Sequence, residues 1–268
     1  MFKFLLAAII FLTPQFLTAQ DENWDVYMAQ YEKQPSSITI NLALKQVAPI
    51  KDLPFLLVTG VSFKNCDDEG MPQKREFNML YKISDSVKAI VDGLVKNKLV
   101  GTFTHTCQRF DYYYLADTIG LREKIAILYK EKFPLYVPYL AVKDDKTWSS
   151  YLDFLYPNED SYEFMQNQKI VMALQRGGDK LIKQRPVEHW LYFKNEVDRN
   201  CFATYAVQQK FKIVAREKVA MPKTPFKLLL SRNDKVDVAS ITKITIELKK
   251  QAKKCNGDYD GWETFIMK

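Results

Sequence analysis

The chain has 268 residues, of which 47% are hydrophobic, 13% aromatic and 26% charged, with a formal net charge of +7 at pH 7. That balance excludes a disordered or fibrous chain and supplies enough apolar surface for one large domain or two ordinary ones. Acidic and basic residues are interspersed, which gives a mild attraction to anionic surfaces and does not by itself indicate nucleic acid.

The first predicted element is an export signal. A short positive start ending at Lys3 leads into an apolar run from Phe4 to Leu12, then a stretch from Thr13 to Gln20 that contains Pro14 and the small residue Ala19. This is the order of a cleavable signal peptide. The run is shorter than the about 20 residues a membrane helix needs. Asp21, Glu22 and Asn23 follow it in place of a basic stop. Cleavage near Ala19 or Gln20 is expected, which leaves a periplasmic or secreted protein with no membrane span.

Residues 21–157 then read as an α+β domain. Ile38, Ile40, Leu42 and Leu44 alternate as in a half-buried strand, and Phe55 to Phe63 is a denser run for a central one. Phe77, Leu80, Ile83 (or Ser84), Val87, Ile90 (or Val91) and Leu94 recur at helical spacing. Val100 to Leu115 reads as the next strand, Leu121 to Phe133 as a helix ended by Pro134, and Tyr136 to Val142 as a last strand. A short helix with Trp148, Tyr151 (or Leu152) and Leu155 on one face closes the unit.

After Pro157, Asn158 with Glu159 and Asp160 marks a helix start, and the helix runs to Gly177-Gly178. Residues 158–268 form the second predicted domain. Strands are expected at Val187 to Phe193, Phe211 to Val219, Phe226 to Ser231 and Tyr259 to Met267, with helices at Glu196 to Gln209 and Val238 to Lys254. That order, βαββαβ, is ferredoxin-like, an antiparallel sheet with helices on one face. The fold class is therefore α+β in two sandwich-like domains.

The four cysteines allow three pairings. This division favours Cys66 with Cys107 and Cys201 with Cys255, each inside one domain. Four buried free thiols are the alternative.

Two segments carry a resemblance. Pro186-Val187-Glu188-His189-Trp190-Leu191-Tyr192-Phe193 and Gly257-Asp258-Tyr259-Asp260-Gly261-Trp262-Glu263 resemble the bacterial family named for the regulator of ribonuclease E activity B. Trp24-Asp25-Val26-Tyr27, Leu80-Tyr81-Lys82-Ile83-Ser84-Asp85 and Phe110-Asp111-Tyr112-Tyr113-Tyr114 are similar to the bacterial domain of unknown function 695. The first resemblance implies regulation of an endoribonuclease by protein contact. That partner is cytosolic and this chain is expected to be exported, so only a protein-binding role without chemistry is carried over.

No catalytic motif emerges from the residues. Asn256, Asp258, Asp260 and Gly261 fit the first half of a calcium loop, but Met267 stands where the bidentate Glu belongs, so a turn feeding a strand is expected. Ser240 and Lys243 have SxxK spacing without its companion motifs. Lys249, Lys250, Lys253 and Lys254 read as a solvated helix face. No cofactor and no metal are expected.

The most informative pattern is the first strand of the second domain. Val187, His189, Leu191 and Phe193 point one way, under the helices, and Trp190 and Tyr192 point to the open sheet face. Lys212, Val214, Arg216, Leu229 and Phe265 are expected to join them. Burial against the first domain, or a partner-binding surface, accounts for such a face. The leading expectation is an exported, non-enzymatic binding or regulatory protein that acts by protein contact through this face or the interdomain cleft. The competing expectation is an envelope hydrolase using Asp67, Asp68 or Asp111.

Overall fold

The structure is a computed structural model that describes residues 22–268; the signal peptide expected over residues 1–20 lies outside the described residues. The chain divides into two compact units, one built around Gln30–Leu155 and the other around Tyr156–Lys268. Among the described residues no helix is long and apolar enough to cross a membrane.

The first unit is built on a six-stranded sheet of β1 (Trp24–Tyr31, of which Val26–Ala29 group with the second unit), β2 (Gln34–Asn41), β3 (Phe55–Ser62), β4 (Asn97–His105), β5 (Gln108–Leu115) and β6 (Val137–Asp144), in the order β1-β2-β4-β5-β3-β6. Helices α1 (Phe77–Leu94) and α2 (Leu121–Lys132) cover one face. Leu80, Ile83, Val87 and Val91 of α1 lie one turn apart, so they form a single stripe. They pack with Ile125 and Leu128 of α2 onto Leu57, Val61, Tyr113 and Leu115.

The sequence places one strand over Val100 to Leu115, and the structure makes a hairpin there instead. Thr106 and Cys107 turn the chain with φ of 43° and 59°, the left-handed pair that a two-residue hairpin loop needs. Neither residue is a usual turn former, which is why the run looks continuous. Tertiary contacts hold the turn: Cys107 is bridged to Cys66 and its amide donates to the Gly70 carbonyl at 2.9 Å. A Cβ on Gly70 would fall 2.7 Å from the Thr106 Cα, so this close approach requires glycine.

The opposite face of the sheet is partly covered by the segment that follows β6. Trp148 stacks on Tyr114 with ring centroids 4.0 Å apart and donates from its indole to the Leu53 carbonyl. The expected short helix is a single π-helical turn, Ser150–Leu155, that buries Tyr151 and Leu155. Asp145 anchors it by accepting from the Tyr114 hydroxyl at 2.7 Å and the Ser149 and Ser150 amides at 2.8 and 2.9 Å. Burial raises the Asp145 pKa, but these donors outweigh it and bring the carboxyl down to about 2.

The second unit begins with α3 (Glu159–Arg176), then runs β7 (Arg185–Phe193), α4 (Glu196–Gln208), β8 (Lys212–Lys218), β9 (Phe226–Asp234), α5 (Val238–Lys254) and β10 (Gly257–Glu263). The sheet order is β10-β7-β9-β8 and every neighbouring pair is antiparallel. From β7 onward this is the ferredoxin-like βαββαβ order. Side-chain caps open the helices: Asn158 accepts from Ser161, Asn195 from Asp198 and Asp237 from Ser240. Leu191, Phe193, Leu228 and Leu230 meet Phe202, Ala206, Leu248 and Ala252 in the core, and Cys201 is bridged to Cys255 beside it.

Two expectations about this sheet are corrected. The last strand stops at Glu263, not Met267. Beyond it the Phe265 carbonyl accepts from Arg185 and the Met267 amide donates to Asp179, so a side-chain clamp replaces the strand ladder and Phe265 is not on the sheet. The second correction concerns Arg216. The register of β8 shifts between Ile213 and Ala215, and a one-residue slip moves every later side chain to the other face. Arg216 therefore stands opposite the buried Leu228 and lies beside Asn200, Thr204 and Val207 of α4.

Candidate functional site

The open face of the second sheet can be built from its register. Trp190 is opposite Leu229, Tyr192 is opposite Lys227 and Asp258, and Glu188 is opposite Ser231 and Glu263. Lys212 is also opposite Ser231, and Glu217 is opposite Lys227. The face thus has an apolar centre of Trp190, Tyr192 and Leu229, with Trp190 and Tyr192 half-buried. Four carboxylates and two lysines surround this centre. Lys227 donates to Glu217 at 2.9 Å, and this contact raises the Lys227 pKa. With Arg216 removed from it, the face carries more acid than base, which opposes binding to phosphate backbones.

The lysine run of α5 is a solvated face, with Lys250, Lys253 and Lys254 exposed, and it also makes ion pairs. Lys249 pairs with Glu163 at 3.1 Å, Lys250 with Asp160 at 2.8 Å and Lys253 with Glu159. These partners all lie on the first turns of α3, so three of the four lysines pair with the neighbouring helix at its solvated edge.

The motif Tyr259-Asp260-Gly261-Trp262 proves to be architectural. Trp262 packs against Val171, Leu174, Val187 and Ile241, and its indole donates to Asn167 at 2.7 Å. Tyr259 holds its hydroxyl 2.9 Å from Nδ1 of His189. His189 is fully buried, its Nε2 has no partner, and burial with the nearby Arg232 charge lowers its pKa to about 3.

The candidate carboxylates of the first unit do not converge. Asp67 shapes its own loop by accepting from the Glu69 and Met71 amides, and Asp68 is exposed. Asp111 is buried on the helix-covered face, where it accepts from Thr102 at 2.7 Å and burial raises its pKa.

Sequence reasoning missed a cleft of about 840 Å³ on the opposite face of that sheet. Phe103, His105, Phe110 and Tyr112 contribute from β4 and β5, Tyr139 and Lys143 from β6, Tyr31 from the end of β1, and Phe154 from the π-helical turn. The available signal was the alternation of Gln108, Phe110, Tyr112 and Tyr114, which becomes readable only when the turn at Thr106 and Cys107 is recognised.

Two α+β units, one carrying an aromatic cleft and the other a ferredoxin-like sheet, define the class of protein. Residues 22–156 match the model of the family of unknown function DUF695, and the chain belongs to that family. Residues 164–264 match the family described as regulator of ribonuclease activity B, a family of regulatory proteins. No curated relative matches the chain. Among solved structures, an unknown protein from Galdieria sulphuraria aligns over 80% of this chain and 99% of its own, at 9% identity and a TM-score of 0.22. That likeness carries no argument about the fold.

Proposed function

We propose that this chain is an exported, non-enzymatic regulatory protein that acts by protein contact through the open sheet face of its second unit. The observation that carries this reading is the pairing of Trp190 with Leu229, with Tyr192 next along the strand. The open face of an antiparallel sheet ordinarily reads polar. Trp and Tyr at the centre of a charged rim have the composition of a binding hot spot. The rim is mainly acidic, with Glu188, Asp258, Glu263 and Glu217 on it, so the partner is a protein that presents a basic surface.

The match of this unit to a regulatory family supports a role without chemistry. Export rests on the apolar run from Phe4 to Leu12 and the stretch that follows it. Bridging of all four cysteines suits an oxidising compartment. The test is capture of partners from an envelope extract by the mature chain and by a Trp190→Ala, Tyr192→Ala variant. Loss of a specific partner from the variant is expected. Equal recovery of every captured protein would overturn the assignment.

A further inference from the structure

We propose that the aromatic cleft of the first unit is a binding site for a short neutral oligosaccharide. This goes beyond the protein-contact reading and rests on different residues. The cleft, at about 840 Å³, falls in the range of ligand pockets, roughly 300–1,000 Å³. Its floor carries a ring cluster, with Phe103 5.4 Å from Tyr31 and 5.1 Å from Phe154, and a second ring pair, Phe110 and Tyr139, 5.0 Å apart. Tyr31 and Tyr139 stand at the edges, 39% and 48% exposed. Rings exposed to that degree are platforms on which the flat C–H face of a pyranose can rest.

Polar groups aimed at the same space say what else the ligand carries. Tyr112 is 8% exposed, and its hydroxyl has no hydrogen-bond partner among the described residues. Tyr31 and Tyr139 line the same cleft as Tyr112, so three phenols border one volume. His105, 6% exposed, uses Nδ1 on the Pro35 carbonyl at 3.2 Å and has no partner on Nε2 among the described residues. Both residues line the cleft, where a ligand rich in hydroxyls can pair with these two polar groups.

The rim selects against other ligands. Gln34, Gln108, Ser149 and Ser150 are neutral, and amides and hydroxyls both donate and accept, as sugar hydroxyls do. The charged lining is Glu32 and Asp153 against Lys143, so a phosphate would meet more repulsion than attraction. An aliphatic chain would leave the phenol hydroxyls unsatisfied.

The mature, disulfide-bonded chain would be titrated by calorimetry with maltotetraose, cellotetraose and chitotetraose, and with trilysine and inorganic phosphate as contrasts. Saturable binding of at least one tetrasaccharide is expected, with a dissociation constant of about 1 mM or below. Tyr139→Ala should weaken it by about tenfold, the equivalent of roughly 1.4 kcal/mol. Tyr112→Phe should weaken it by a smaller factor with an unchanged melting temperature, because the lost hydroxyl has no partner among the described residues. The Trp190→Ala, Tyr192→Ala variant should bind the sugar normally, which separates this proposal from the protein-contact reading. It is overturned by no tetrasaccharide binding, by undiminished binding in Tyr139→Ala, or by trilysine or phosphate binding in place of sugar.

Discussion

The indole of Trp262 on β10 donates a 2.7 Å hydrogen bond to Asn167 on α3, and the Asn167 amide passes donors on to Thr242 at 3.2 Å and Thr245 at 2.7 Å on α5. All four side chains are buried, so one amide joins a strand and two helices with its oxygen and nitrogen both used. Asn167→Leu removes the hub and strands the Trp262 indole and the Thr242 hydroxyl, at about 1–3 kcal/mol for each unsatisfied group, whereas the Thr245 hydroxyl keeps its bond to the Thr242 carbonyl at 3.3 Å. Urea unfolding should show a loss near the upper end of what single substitutions cause. Trp262→Phe, which leaves one acceptor unpaired, should lose less. A loss within about 0.5 kcal/mol for Asn167→Leu, the level of a neutral surface change, would refute the hub.

The second buried constellation ties down the C-terminal segment. Arg185 and Asp179 form a two-pronged ion pair, with Nη2 donating to Oδ1 at 2.9 Å and Nη1 to Oδ2, and both side chains are 1% exposed. Hydrogen bonding to Arg185 holds the Asp179 carboxyl far below its usual range. Asp179 also accepts from the Leu181 and Met267 amides. Asp179→Ala leaves a buried guanidinium uncompensated, which costs about 3–5 kcal/mol, and should speed hydrogen exchange at Met267. Replacing both residues, as Arg185→Met with Asp179→Leu, should recover much of the stability while the Met267 amide stays unprotected. Equal stability of single and double variants would overturn this account.

The parts of the fold readable from sequence are those set by local chemistry. Helix α5 spans Val238–Lys254 in the structure as it does in the sequence reading, because Asp237 caps it and Ile241 and Leu248 mark its buried stripe. What tertiary pairing decides was not readable. The hairpin turn at Thr106 and Cys107 depends on a disulfide and on a contact with Gly70 some 40 positions earlier in the chain. Arg216 changes face because of a bulge that leaves no mark in the sequence. On the open face, Trp190, Tyr192, Leu229 and Lys212 were assigned by alternation, which holds as long as the register is unbroken. The aromatic cleft needed all six strands in the right spatial order, and alternation along one strand cannot supply that.

The two disulfides close loops with sequence separations of 41 and 54 residues. The chain-entropy treatment assigns each about 4 kcal/mol of stabilisation through the unfolded state. Paired replacement by serine, Cys66→Ser with Cys107→Ser or Cys201→Ser with Cys255→Ser, should lower the melting temperature of the unit concerned. The first pair should also raise hydrogen exchange in the turn at Thr106 and in the Gly70 loop, which the bridge holds together. Unchanged melting of the oxidised and reduced protein would show that neither bridge constrains the unfolded chain.

His189 sets a dependence on pH that the carboxylates cannot mimic. Its folded pKa of about 3 lies below the 6.5 of the unfolded chain. Between those values the unfolded state binds more protons than the folded one, so stability falls as pH falls through the window, by at most about 1.4 kcal/mol per pH unit. Asp145 and Asp179 are depressed from 3.8; their stabilisation is intact above about pH 4 and is lost only below it. Burial raises the Asp111 pKa, so that carboxyl contributes with the opposite sign, and it is the difference between wild type and His189→Phe from pH 6.5 to 4 that isolates the histidine. The wild type should lose stability on acidification across that range, and His189→Phe should show a flatter profile. It should also be less stable at pH 7, because the Tyr259 hydroxyl loses its partner at 2.9 Å. Parallel slopes for the two proteins would show that His189 charges freely in the folded state, which contradicts its burial against Phe211.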